Sequence, residues 1–177
     1  PVPPGFVVLA SAFDKFLADT DLGAEVEAKM HAVNHQDINS VDRASNEIQD
    51  LIADAEFLKD LGEKILKEYS KLGTKYVAVR SSATAEDSKV ASWAGELESY
   101  LNVTKENLLE SVKKCWSSLF TPRAIFYRFE KGPHEKAVSV AVVVQAMIQS
   151  EVSGICFTVH PVTEEKGQMV IEAGYGL

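Results

Sequence analysis

Apolar positions along this chain follow two rhythms, and the change from one to the other divides it. Val41, Ala44, Ile48, Leu51 and Ile52 recur at three- and four-residue spacing behind Ser40, a residue suited to cap a helix. Phe57, Leu58, Leu61, Ile65, Leu66 and Tyr69 repeat that spacing until Lys71-Leu72-Gly73 supplies a basic last turn and a C-terminal glycine. A shorter helix is predicted behind Ser11, with the stretch ending near Gly23. Another is predicted behind Thr104, where Leu108, Leu109, Val112, Cys115, Trp116 and Leu119 share one face. Thr121-Pro122 starts a further helix, since proline fits the first helical position, and Gly132-Pro133 breaks it.

The two-residue rhythm of strands occupies the rest. Pro1-Val2-Pro3-Pro4-Gly5 is a stiff approach to the apolar run Phe6-Val7-Val8-Leu9, and residues 75–79 alternate as a strand does. Residues 80–88, small and polar, read as a loop leaving that strand, and a short strand follows through Tyr100 and Leu101. Residues 137–148, 152–159 and 168–173 read as three strands, and the turn stretches between them leave no room for crossover helices, so antiparallel connections are expected. The fold class is α+β, a front helical region with an antiparallel sheet behind it. Three stretches are expected within one domain: 1–74, 75–131 and 132–177.

Composition changes this picture little. A chain of 177 residues with 46% hydrophobic and 25% charged residues can bury a core without metal or disulfide staples. A net charge of -8 speaks against a nucleic-acid footprint, yet leaves room for a phosphate held locally by a few arginines and backbone N–H groups. The longest apolar run, 138–148, falls short of the roughly 20 residues that span a bilayer, so no membrane partner is expected. Cys115 and Cys156 each sit in an apolar stretch and are expected to be buried thiols. With no disulfide framework and no signal-peptide pattern, the expected compartment is the cytoplasm.

The chemistry concentrates after the strand at 75–79. Arg80 followed by Ser81, Ser82, Ala83, Thr84 and Ala85 places a guanidinium among small residues, which lets backbone N–H groups and a forked cation converge on an oxyanion. A turn with a surface salt bridge is the plain alternative. One arginine does not neutralise a triphosphate, and Arg123 lies in the first turn of its helix, where a cation opposes the helix dipole; the alternative is a surface arginine. Met147 reads equally as core, and Glu172 as a solvated strand end.

Taken in order, residues 76–87, Ala94-Gly95, 100–103, Ser118-Leu119-Phe120, Arg123-Ala124-Ile125 and Tyr127-Arg128 resemble the ATP-binding domain of the phosphoenolpyruvate synthase and pyruvate phosphate dikinase family. Residues 144–148, 153–158, 170–177 and the opening Val2-Pro3-Pro4-Gly5-Phe6 carry the same resemblance, which is weakest between Gly23 and Gly73. It implies an ATP-grasp-like fold, present in part, that holds ATP and Mg2+. Arg80 and Arg123 match arginines that contact ATP phosphates and serve phosphoryl transfer. Ser81, Ser82 and Thr84 match the loop beside them, Gln145, Met147 and Ile148 a segment lining the adenine pocket, and Glu172 a carboxylate near the phosphates or their metal. The metal ligands are not identifiable.

Departures from the family pattern set further expectations. A glycine-rich element with a phosphate-binding lysine, the acidic ligands of a second lobe and a domain bearing a phosphorylated histidine are all absent from these residues, so the domain is expected to be truncated at both ends. His31, His35, His134 and His160 are assigned structural or surface roles. Glu96 stands where family members often carry glutamine, bringing negative charge toward the loop. The resemblance implies a phosphotransferase passing a phosphoryl group from ATP through that histidine to pyruvate, with the fragment alone inactive. An antibiotic or glucan phosphotransferase, or a noncatalytic nucleotide-sensing domain, is the alternative; a homodimer is allowed.

Overall fold

The first strand, β1 (Gly5–Val8), leads directly into α1 (Ala10–Asp19). A left-handed residue, Asp21 with φ of 57°, then turns the chain into α2 (Leu22–His31). Two longer helices follow, α3 (Ile38–Asp54) and α4 (Lys59–Lys71), before β2 (Val77–Ala83). After β3 (Ser99–Val103) come α5 (Leu108–Ser117), a 3-10 turn at Ser118–Phe120, α6 (Pro122–Lys131) and β4 (Val140–Ala146). A hairpin of β5 (Val152–Phe157) and β6 (Val170–Tyr175) ends the order. These elements come from a computed structural model that describes residues 2–83, 98–131 and 140–176.

The chain divides into two compact units, Pro1–Met147 and Ile148–Leu177. In the first, four antiparallel strands lie in the order β1-β4-β2-β3. Alternation along β4 explains why helices cover one face. Val140, Val142 and Val144 are fully buried while Ala141, Val143 and Gln145 are only partly so, and α1 and α5 pack on the buried side. Trp116 of α5 anchors that layer, its ring stacked on Phe57 at 5.5 Å and 5.1 Å from Phe16. Aromatic pairs at this spacing add about 0.5–1.5 kcal/mol each beyond area burial.

Several local expectations hold for the reasons given. Gly73 ends α4 with φ of 62°, a conformation that glycine adopts without strain, and Pro122 opens α6 with the Thr121 hydroxyl accepting from the Ala124 N–H at 3.2 Å. Other caps fall elsewhere. Asp37 rather than Ser40 caps α3, accepting from the Asn39 N–H at 3.0 Å, while Ser40 is buried one turn in and accepts from the Asn34 N–H. Ser11 lies inside α1, and α5 begins at Leu108, after Asn107 rather than Thr104.

Two larger differences concern the sheet. The residues read as a loop after Val79 continue as strand through Ala83, because β4 pairs with them from Arg80↔Val143 to Ala83↔Val140. And β4 does not join β5: it lies between β1 and β2, so the three late strands split between the two units. The β5–β6 hairpin is antiparallel, with Ile155 opposite Glu172 and Phe157 opposite Val170. Cys115 is buried as expected, but Cys156 is exposed, since nothing within its own unit covers the hairpin strand that carries it.

Candidate functional site

The sheet of the first unit has one face under helices and, among the described residues, one face without them, and the candidate residues sort by that division. In an antiparallel pair, directly opposed residues project to the same side. Val79 opposes the buried Val144 and so belongs to the helix-covered face, with Phe6 and Val8. Arg80 opposes Val143, Ser82 opposes Ala141 and Ala78 opposes Gln145, so Arg80, Ser82 and Gln145 share the other face. Arg80 and Gln145 are diagonal neighbours across the β2–β4 pair, a relation that separates residues by roughly 7–8 Å. Arg80 is exposed there.

Local backbone features fix this end of β2. Asn102 adopts φ of 55° where the β2–β3 register shifts, and Val79 then pairs with Tyr100 and Arg80 with Ser99. Past the bulge, Ser81 donates both its backbone N–H (3.2 Å) and its hydroxyl (2.9 Å) to the Glu98 carbonyl. Ser81 opposes the buried Val142 and therefore turns away from the face that Arg80 and Ser82 share. Burial on the helix side raises the Tyr100 hydroxyl to about 12, keeping it neutral. Thr84 and Glu96 lie outside the described residues.

On the other side of that sheet edge, Gln145 has a structural partner that its place in the sequence does not announce. Its side-chain amide donates to the Pro3 carbonyl at 3.1 Å, and the Ala146 N–H donates to Pro4 at 2.8 Å. Gly5 opposes Gln145, and a Cβ there would stand 2.6 Å from the Val144 carbonyl oxygen, so only glycine allows the approach. Met147 is partly buried, its N–H donating to the Tyr76 carbonyl at 3.0 Å. Ile148 and Glu172 belong to the second unit, both exposed, Glu172 beside a shallow depression of about 390 Å³ over Ser153, Gly154 and Ala173.

Arg123 is placed differently again. It is the second residue of α6 and exposed, carried by a helix that packs on α3 and on the 3-10 turn. Arg80, Ser82 and Gln145 are thus brought together by strand register, while Arg123 depends on a helix and its elbow. The apolar groove of about 300 Å³ between β1, α1 and α4 involves none of these residues.

The donor set suits an anion and a base more than a metal. A guanidinium and a hydroxyl share a sheet face with the partly buried side-chain amide of Gln145, and these groups suit phosphate and hydrogen bonds to a polar ligand. Among the described residues no group of three or more His, Cys, Asp or Glu is arranged to hold a metal ion. Nor, among those residues, is any helix long and apolar enough to cross a membrane.

Comparison with known proteins covers the full length of the chain. Residues 1–177 match the family model described as pyruvate phosphate dikinase, AMP/ATP-binding domain. A probable phosphoenolpyruvate synthase of Archaeoglobus fulgidus is 48% identical over 100% of this chain, and one of Methanothermobacter thermautotrophicus is 44% identical over 100%. A rifampicin phosphotransferase of Bacillus cereus is 37% identical over 99%. The chain spans about a quarter of the length of these curated relatives: 24%, 27% and 20% in turn. With a family match over residues 1–177 and an α+β fold, the chain belongs to the pyruvate phosphate dikinase AMP/ATP-binding domain family.

Proposed function

We propose that this chain is the part of a phosphoenolpyruvate synthase-like phosphotransferase that binds ATP, with an ATP-grasp-like arrangement. The observation that carries the reading is the common sheet face of Arg80, Ser82 and Gln145 in a member of an AMP/ATP-binding family. Arg80 and Arg123 hold the phosphates, where fixed positive charge stabilises the negative charge of a transferring phosphoryl group without reorganising. Ser82 and Thr84 add hydroxyl or backbone contacts, Ser81 acts by fixing the strand, and Gln145, Met147 and Ile148 supply the edge and apolar side of the adenine site. Magnesium would be carried by the nucleotide, and Glu172 is the carboxylate proposed near the phosphates or their metal. Transfer through a histidine on another domain to pyruvate is the proposed activity of the whole protein, in the cytoplasm.

Phosphoenolpyruvate synthase is favoured over an antibiotic phosphotransferase because relatives of the first name reach 48% and 44% identity, against 37% for the rifampicin phosphotransferase. Calorimetric titration of the full-length protein with MgATP tests the site. Loss of a charge-assisted contact is worth about 1.5–3 kcal/mol, so Arg80→Ala and Arg123→Ala should each weaken binding roughly tenfold to a hundredfold. Unchanged affinity in both variants would sink the phosphate assignment. Incubation with ATP and either pyruvate or a rifamycin then identifies the acceptor, and binding without turnover of either would favour a nucleotide-sensing domain.

A further inference from the structure

The elbow that presents Arg123 is held from three directions. Ser118 receives the Thr121 N–H (3.4 Å) and hydroxyl (3.3 Å) at its carbonyl, closing the 3-10 turn locally. The Leu119 carbonyl accepts from Nη2 of Arg128 at 3.1 Å, a side chain returning from nine residues further on. The Phe120 carbonyl accepts from Nε2 of Gln49 at 3.4 Å, a side chain of α3 which also donates to the buried Ser45 hydroxyl at 2.7 Å. Thr121 then caps α6, and Arg123 follows two residues later.

Arg128 is an expensive way to fill that position. Part of the side chain reaches solvent, but Nε is shut from it, and the guanidinium lies 5.1 Å over the Phe120 ring. Desolvation lowers its pKa to about 10, which still leaves it charged at neutral pH. A methionine would fill the same space without the desolvation cost. The guanidinium gives what methionine does not: an N–H that donates to the Leu119 carbonyl and a flat cation that seats Phe120, itself buried against Phe13. Both contacts act on the two residues before the helix cap, so they set the direction in which the first turn of α6 leaves the core.

We infer that Arg128 is a positioning residue for the phosphate contact of Arg123, acting through the elbow at Leu119 and Phe120 with Gln49 as its second tether. The inference rests on the assignment of Arg123 to the phosphates made above. A contact misplaced by about an ångström loses much of its energy, so an unpinned elbow costs phosphate affinity and spares contacts to the nucleoside.

The test uses the full-length protein, titrated with MgATP and separately with adenosine, which has no phosphates. Arg128→Met should raise the ATP Kd roughly tenfold with the adenosine Kd unchanged, Arg128→Lys should fall between, and Arg128→Met should add less than about twofold on an Arg123→Ala background. Where Arg128→Met does not fold, Gln49→Leu, which frees Phe120 alone, carries the same comparison with a smaller loss. Equal loss of ATP and adenosine, or fully additive losses in the double variant, would overturn the inference. Should Arg123→Ala itself leave ATP binding intact, the phosphate assignment falls and takes this role with it. Weakening by Arg123→Ala but not by any elbow variant removes the positioning role alone.

Discussion

Strand β4 and strand β5 are both rich in apolar residues, yet their surroundings differ completely. Val140, Val142 and Val144 of β4 are fully buried, because α1 and α5, encoded before β4 in the chain, return to cover that side. Ile155 of β5 is 58% exposed and Tyr175 of β6 is 97% exposed. The hairpin carries Ile155, Phe157 and Val170 on one side and Val152, Cys156, Ile171 and Tyr175 on the other, so both faces are apolar and its own unit covers neither. Strands of this kind belong to sheets buried on both sides, and a two-stranded ribbon alone is marginal in water. The contrast teaches where the candidate site is self-supporting. Arg80, Ser82 and Gln145 stand on a sheet with its own core, while Ile148 and Glu172 stand on a unit without one.

The largest test of that contrast removes the centre of the first core. Trp116→Ala should cost about 3–5 kcal/mol in urea unfolding followed by circular dichroism, since the indole touches three other rings. A cost below about 1 kcal/mol would mean that the core does not depend on the aromatic cluster. Next come two glycines with the same clash in different units. A Cβ at Gly5 would meet the Val144 oxygen at 2.6 Å, and one at Gly154 would meet the Glu172 oxygen at 2.5 Å. Gly5→Val should lower global stability by about 1–3 kcal/mol. Gly154→Val should speed amide exchange in β5 and β6 yet move the global midpoint by no more than roughly 0.5 kcal/mol, since among the described residues β5 and β6 form a sheet of their own. Equal effects on the midpoint would erase the division.

The smallest test changes no stability at all. Burial raises the Cys115 thiol to about 12, whereas Cys156 is exposed, and it is the thiolate that attacks. The folded chain at pH 8 should therefore release colour from a disulfide reagent at one thiol promptly, with the second appearing only after denaturant is added. Mass spectrometry should place the label on Cys156.

Legibility in the sequence followed the range of the interactions. The α+β class, the apolar stripes of α3 and α4, the glycine after α4 and the proline opening α6 were all readable, since each depends on residues within a few turns. The strand at 80–83 was not: small polar residues there look like a loop, and only pairing with Val140 to Val143, some sixty residues away, makes them a strand. Cap positions failed for a milder version of that reason, with Asp37 and Asn107 competing locally against Ser40 and Thr104. Among the site residues, Arg80 and Gln145 could be singled out from motif order, but their common face comes from register. Gln49 gave only a faint signal, a polar residue beside an apolar stripe one turn from the buried Ser45, and its hold on Phe120 spans 71 positions.

The clustering of rings around Trp116 also decides what light can see. Both tryptophans of the sequence, Trp93 and Trp116, precede Met147, and the thirty residues from Ile148 onward contain none. Indole emission from Trp116 therefore reports on the helix-backed core, and the hairpin unit carries no indole of its own. A probe of the hairpin must be introduced there, and the reactive sulfur of Cys156 already offers the attachment point.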